Sequence, residues 1–113
     1  MAIQTATMKN ALATAYGASA TWAAVYTTAP GASAGTEPAG GSPAYARKAL
    51  SWSAPSNGVI TASATFDIPT GTTLIGAGVH SASTGNYQDG GSITSQAFAS
   101  QGTYVLALTY TQT

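Results

Sequence analysis

The sequence predicts an all-β domain, an antiparallel β-sandwich of about six to seven short strands preceded by a short N-terminal helix. Three observations carry this. Ile60, Ala62, Ala64, Phe66 and Ile68 alternate with Thr61, Ser63, Thr65 and Asp67, the period-two pattern of a strand with one wet face. Tyr104, Leu106, Leu108 and Tyr110 repeat that pattern near the C-terminus. Gly, Pro and Asn turns punctuate the chain between such runs, as in sandwiches and barrels.

In chain order, the helix comes first. Met8, Leu12 and Tyr16 recur every four residues and make one apolar stripe over Thr5–Tyr16. Thr5 is placed to cap it and Gly17 to end it. A helix this short needs a surface to dock on, either its own sheet or a neighbouring subunit. A strand over Thr21–Thr28 follows, with Trp22, Ala24 and Tyr26 on one face. A loop over 29–44 comes next, rich in Gly and Pro, and a loop this long in a small domain is often functional. Residues 1–17 thus read as a helical segment and 18–113 as a sandwich with a long loop 29–44.

The stretch from Gly35 to Trp52 gathers Glu37, Arg47 and Lys48, half of the charged residues in the chain. Pro38 and Pro43 restrict φ there, and Gly40-Gly41 supplies angles other residues avoid. Glu37 and Arg47 either pair across the base of the loop, fixing it, or remain two solvated charges. Tyr45–Ser53 reads as a strand. Asn57-Gly58 predicts a hairpin turn, since both central positions of a type I′ turn need positive φ. After the Ile60–Ile68 strand, Thr72–Ser81 is another. Its Ile75, Ala77 and Val79 share one face; Gly76 and Gly78 leave a flat groove on the other, open to close approach by a backbone or a ring. Thr84-Gly85-Asn86 and Asp89-Gly90-Gly91 read as turns around a short Tyr87 segment. Ser92–Ser95 reads as a brief strand and Thr103–Thr111 as the last.

Composition narrows the function. The 113 residues suit one domain, and only 5% are charged, with zero net charge. Typical soluble proteins carry about 25% charged residues. A neutral, weakly charged surface gives little repulsion between copies and favours association. It excludes nucleic acid as a partner, because three Lys and Arg cannot neutralise a row of phosphates. Cysteine is absent, so neither disulfides nor thiolate metal sites arise. The N-terminal run lacks the features of a signal peptide, and no window suits a membrane span. The expectation is a protein made in the cytoplasm with no membrane partner.

Catalytic and cofactor chemistry finds little support. His80 is the only histidine. It reads as a partly exposed strand-end residue, and no serine lies in an elbow motif. Glu37, Asp67 and Asp89 are far apart in sequence, and the two aspartates read as turn residues. No metal or other cofactor is expected. Among the aromatics, Trp22, Trp52, Phe66 and Tyr104 are expected in the core. Tyr45 and Tyr87 flank loops and, with Met8 and Leu12, are the candidate interface residues.

One resemblance adds to this. Over about residues 20–110, the order of Pro30-Gly31, Gly35, Glu37, Gly40-Gly41-Ser42-Pro43, Tyr45-Ala46-Arg47 and Trp52 resembles small tail-fibre or minor structural proteins of tailed bacteriophages of actinobacteria. So does the continuation through Phe66-Asp67-Ile68-Pro69, Gly71-Thr72, Gly76 and Gly102-Thr103-Tyr104. The resemblance implies a non-enzymatic virion protein whose partners are capsid or tail proteins and copies of itself. A tail-fibre position and a capsid decoration position both fit. A different class of function, a carbohydrate-binding module for host surface glycans, would need Trp22, Tyr45 or Tyr87 exposed together on one face.

Overall fold

The computed structural model describes residues 2–113. Helix α1 spans Ala6–Ser19, followed by strands β1 (Trp22–Tyr26), β2 (Lys48–Ala49), β3 (Val59–Ile68), β4 (Thr72–His80), β5 (Tyr87–Phe98) and β6 (Gly102–Thr111). β2-β1-β4-β5 form one antiparallel sheet; β3 and β6 form a two-stranded ribbon. The ribbon lies on the sheet with a core of Ala23, Val25, Ala64, Phe66, Ile68, Leu74, Ala77 and Leu106 between them. The molecule is elongated, 47 × 23 × 23 Å. Its radius of gyration is 14.9 Å, against about 13 Å for a compact chain of this length.

The alternation read in the sequence is the register of the ribbon. Ile60, Ala64, Phe66 and Ile68 are buried, and Thr61, Ser63 and Thr65 are exposed. Ten consecutive pairs join β3 to β6, from Val59 opposite Thr111 to Ile68 opposite Gly102. Asn57 (φ 50°) and Gly58 (φ 78°) form the expected positive-φ turn at the start of β3.

The helix is longer than expected, and it docks by a different face. The Thr5 hydroxyl accepts from the Met8 amide at 3.2 Å, as a cap should. Gly17, however, lies inside the helix rather than ending it. A Cβ there would stand 3.2 Å from both Ile60 and Trp52, so glycine serves close approach of the helix to β3. The docked face is therefore the small-residue one, with Ala13 fully buried and Asn10 accepting from the Gly58 amide at 2.8 Å. Met8 and Leu12 face outward, 52% and 39% exposed. Only Tyr16 of the predicted stripe turns inward, stacking on Tyr110 at 3.9 Å between ring centres.

Four further expectations need correction. The strand expected over Tyr45–Ser53 shrinks to Lys48–Ala49, because Tyr45 and Leu50 both turn into the core, which an alternating strand would not allow. In β4, an irregularity between Leu74 and Gly76 shifts the alternation, so that Leu74 joins Ala77 in the core. Asp89-Gly90-Gly91 is no turn. It lies within β5, paired to β4 with Asp89 opposite Val79 and Gly91 opposite Ala77, and the brief strand at Ser92–Ser95 is part of the same element. Asp67 likewise sits within β3, opposite Thr103.

The packing at Gly17 generates a prediction. Gly17→Leu gains helix propensity of about 1 kcal/mol but forces a side chain into Ile60 and Trp52. Overpacking of that kind costs about 1–3 kcal/mol or more. A net loss of stability in urea melts is expected, and a melt unchanged or shifted upward would contradict the close docking.

Candidate functional site

Glu37, Arg47 and His80 come together on the outer side of the four-stranded sheet, the side opposite the ribbon. The loop after β1 crosses that side. Pro30 packs on Gly76, and the Tyr26 ring packs on Gly78, where a Cβ would overlap its hydroxyl. The flat groove expected beside β4 thus exists, and it is filled by this chain's own ring and proline. That gives β4 buried neighbours on both sides from Gly76 to His80.

At the centre of the loop, Glu37 and Arg47 pair. Arg47 Nη2 lies 2.7 Å from Glu37 Oε2, and Nε donates to Oε1 at 3.0 Å, the two-pronged geometry of a guanidinium on a carboxylate. The remaining arm of Arg47 donates to Gly85 O at 2.8 Å and Ala82 O at 3.3 Å, in the turn between β4 and β5. The side chains are 12% and 24% exposed, so water screens the pair only partly. Burial pushes the Glu37 carboxyl up, but hydrogen bonds from Arg47 and Tyr45 outweigh it and hold the group below its ordinary range.

Tyr45 is not an exposed contact. Its ring stacks on Phe66 at 6.0 Å, inside the core. Its hydroxyl donates to Glu37 Oε1 at 2.8 Å and accepts from the Val25 amide at 3.2 Å. β2 pairs with β1 only at Trp22 and Ala23, so the Tyr45 hydroxyl takes over where the strand partner stops. Tyr87 is half-buried, its hydroxyl donating to Gly31 O at 2.9 Å and so tying the loop to β5. Trp22 is half-buried as well.

His80 is buried, with 1% of its surface exposed, which corrects the expectation of a partly exposed residue. Its Nδ1 lies 2.8 Å from Gly85 O, which can only accept, so Nδ1 carries the proton. Nε2 then accepts from the Tyr26 hydroxyl at 2.7 Å. Burial is the main influence lowering the imidazole's pKa; the nearby Arg47 charge adds to it, against the Gly85 carbonyl and Glu37. Both ring nitrogens are engaged in neutral hydrogen bonds, so the imidazole is held as a structural link and faces no open cleft.

Sequence reading missed Tyr26 as the partner of His80 and Tyr16 as the partner of Asp89. The Tyr16 hydroxyl donates to Asp89 at 2.9 Å, fastening the helix to β5. Glycines at alternate positions beside a lone histidine signalled a ring over β4. Which ring it was depended on β1 pairing with β4, a long-range choice. Asp67 stands apart from these groups on β3. Among the described residues, no three His, Cys, Asp or Glu gather as a metal would require. Among the same residues, no helix is long and apolar enough to cross a membrane. No family model matches this chain, and neither a curated protein nor a solved structure is significantly similar to it.

Arg47→Ala leaves the Glu37 carboxylate with only the Tyr45 hydroxyl, frees the Ala82 carbonyl and leaves Gly85 O to His80 alone. A loss of about 2 kcal/mol is expected, with faster amide exchange across residues 35–47; unchanged exchange there would contradict the fastening role. His80, kept neutral by the fold, gives stability a pH slope. The unfolded chain binds a proton below about pH 6.5 that the folded chain resists. Stability therefore falls as pH drops from about 6.5 through the lower folded value of His80. Glu37 adds a second loss of the same sign as pH falls below about 4.3 through its own lowered value. Denaturant midpoints measured from pH 8 to 4 should decline below neutrality, and His80→Gln should flatten the first part of that decline.

Proposed function

We propose that this chain is a non-enzymatic structural protein of a tailed-phage particle, displayed on the virion surface as a tail-fibre-type or minor tail component or as a capsid decoration protein. The observation that carries the reading is how the reactive side chains are used. Glu37, Arg47, His80, Tyr26 and Tyr45 form one network whose bonds all run between segments of this chain. A catalytic base needs a free lone pair facing substrate, and the bonding of His80 argues against that role. A network that fixes a long surface loop in place suits a module whose task is to present a constant surface to its neighbours. The sparse charge, three basic and three acidic residues in the whole chain, supports close packing against other proteins. The resemblance of the Gly35–Trp52 region to phage structural proteins supplies the particle.

A glycan-binding role has weaker support. It requires Trp22, Tyr45 or Tyr87 as an exposed platform, whereas Tyr45 stacks on Phe66 and Tyr87 is tied to Gly31.

Met8 and Leu12 are the helix residues proposed to meet a neighbouring virion protein. They are large, apolar and exposed. Met8→Ser with Leu12→Ser should change the stability of the isolated protein by only about 0.5 kcal/mol, while lowering its incorporation into particles. Antibody labelling of intact particles under the electron microscope tests the reading directly. Label over the head supports decoration, and label on the tail supports the fibre-type position. Particles without label would refute the proposal.

A further inference from the structure

The turn that opens the ribbon is held from several directions. Asn57-Gly58 lies between Ser56 and Val59, which exchange backbone hydrogen bonds: the Val59 amide donates to Ser56 O at 2.9 Å, and the Ser56 amide to Val59 O at 3.1 Å. The Gly58 carbonyl accepts from the Gln112 amide at 2.9 Å. The Gly58 amide donates to Asn10 Oδ1 on α1 at 2.8 Å. Gly58 is buried, and a Cβ there would stand 2.9 Å from Lys9 Cβ and 2.7 Å from Gln112 O. Asn57 itself is exposed. The helix thus rests on the turn, and one of its side chains holds the backbone nitrogen that follows Asn57.

That nitrogen has a chemistry of its own. In an Asn-Gly pair the glycine amide, once it gives its proton to a base in solution, attacks the asparagine Cγ, because glycine has no Cβ to obstruct the approach. A bond forms between Gly58 N and Asn57 Cγ, the bond from Cγ to Nδ2 breaks, and Nδ2 leaves as ammonia. One water then opens the cyclic imide at either carbonyl, leaving aspartate or isoaspartate in place of Asn57. Water enters and ammonia departs, and nothing is oxidised or reduced. Of Asn10, Asn57 and Asn86, the asparagines of the chain, only Asn57 precedes a glycine.

We infer that Asn57 is a deamidation site that the docked helix holds closed, so that release of α1 exposes the turn to irreversible conversion. In the docked state the nucleophile is engaged. Its N–H is directed at Asn10 rather than at a base in solution, and Lys9 and Gln112 press on the glycine Cα, which restrains its swing toward Asn57 Cγ. Opening of the turn away from α1 removes both restraints together. The product also changes what the helix returns to. Isoaspartate inserts one extra carbon into the backbone of a turn whose bonds match a two-residue geometry, and either product adds a negative charge to a chain with zero net charge. Met8 and Leu12 would then sit on a loosened helix. The inference rests on the turn and its helix, so it can fail without the particle reading, and the reverse.

Mass spectrometry of the full chain, incubated in mildly alkaline buffer and then cut into peptides, tests it by reading the exchange of amide for carboxyl in the peptide that contains Asn57. The folded chain is expected to convert about tenfold or more slowly than the same chain unfolded in urea. Asn10→Ala removes the acceptor while favouring the helix, and it should speed conversion about fivefold. Asn10→Asp keeps an acceptor oxygen and should stay near the wild-type rate. A folded chain that converts as fast as the unfolded one overturns the inference, as does an Asn10→Ala rate equal to wild type or an Asn10→Asp rate equal to that of Asn10→Ala. A second reading needs no variant. At urea concentrations below the unfolding transition, conversion of the wild type should quicken in step with amide exchange across α1, and a rate that ignores helix exchange would again overturn it. The converted chain, separated by its added charge on an ion exchanger, should exchange its α1 amides faster than the parent. Equal exchange would refute the irreversible release.

Discussion

The ion pair between Glu37 and Arg47 is the constraint on which the outer half of this molecule depends. It does more than join two loop residues. Arg47 holds Glu37 with one side of its guanidinium and the Ala82–Gly85 turn with the other, so one side chain binds the long loop to the far end of β4. Glu37 holds Tyr45, Tyr45 completes the β1 edge, and His80 shares the Gly85 carbonyl with Arg47. Each member satisfies a group that would otherwise be buried and unpaired, and among the described residues no buried side-chain polar atom lacks a partner. A network closed in this way is worth more as geometry than as net energy, since the desolvation of the charges offsets much of their attraction.

The inner and outer sides of the four-stranded sheet are built on different physics. The inner side is an apolar core between sheet and ribbon, with Phe66, Leu74 and Val25 fully buried. The outer side is covered by a loop, and it closes because two glycines let a ring and a proline reach the backbone of β4. β4 is buried by apolar packing on one side and by a hydrogen-bonded aromatic layer on the other. The helix seals one end of the sandwich by the same device, with Gly17 admitting Ile60 and Trp52. β5 receives little of either: Ile93 and Phe98 reach the core and Tyr87 holds the loop, while most of its length is exposed.

That contrast also organises the functional readings. The groups with chemical reactivity are locked within the chain, and the groups left facing outward are small, polar and nearly uncharged, apart from Met8, Leu12 and Val105. A surface of this kind offers neighbours shape and backbone rather than charge.

What the sequence by itself determined was whatever depends on neighbours along the chain. The two-residue alternation of β3 and β6, the positive-φ turn at Asn57-Gly58 and the cap at Thr5 are local physics, and each appears where the residues place it. The Glu37–Arg47 pair was readable as one of two outcomes because both residues lie at the base of one loop. Tertiary structure decided the rest. Gly17 and Gly90-Gly91 resemble breaks when read locally, yet a helix and a strand run through them, because packing against Ile60 and pairing with β4 outweigh a cost of about 1 kcal/mol per glycine. The helix docks by Ala13 and Gly17 instead of Met8 and Leu12 because close approach to β3 favours small residues over large apolar ones. Tyr45 and His80 became interior residues for the same kind of reason. Their polar atoms found partners on segments distant in sequence, and only the folded chain brings those segments together.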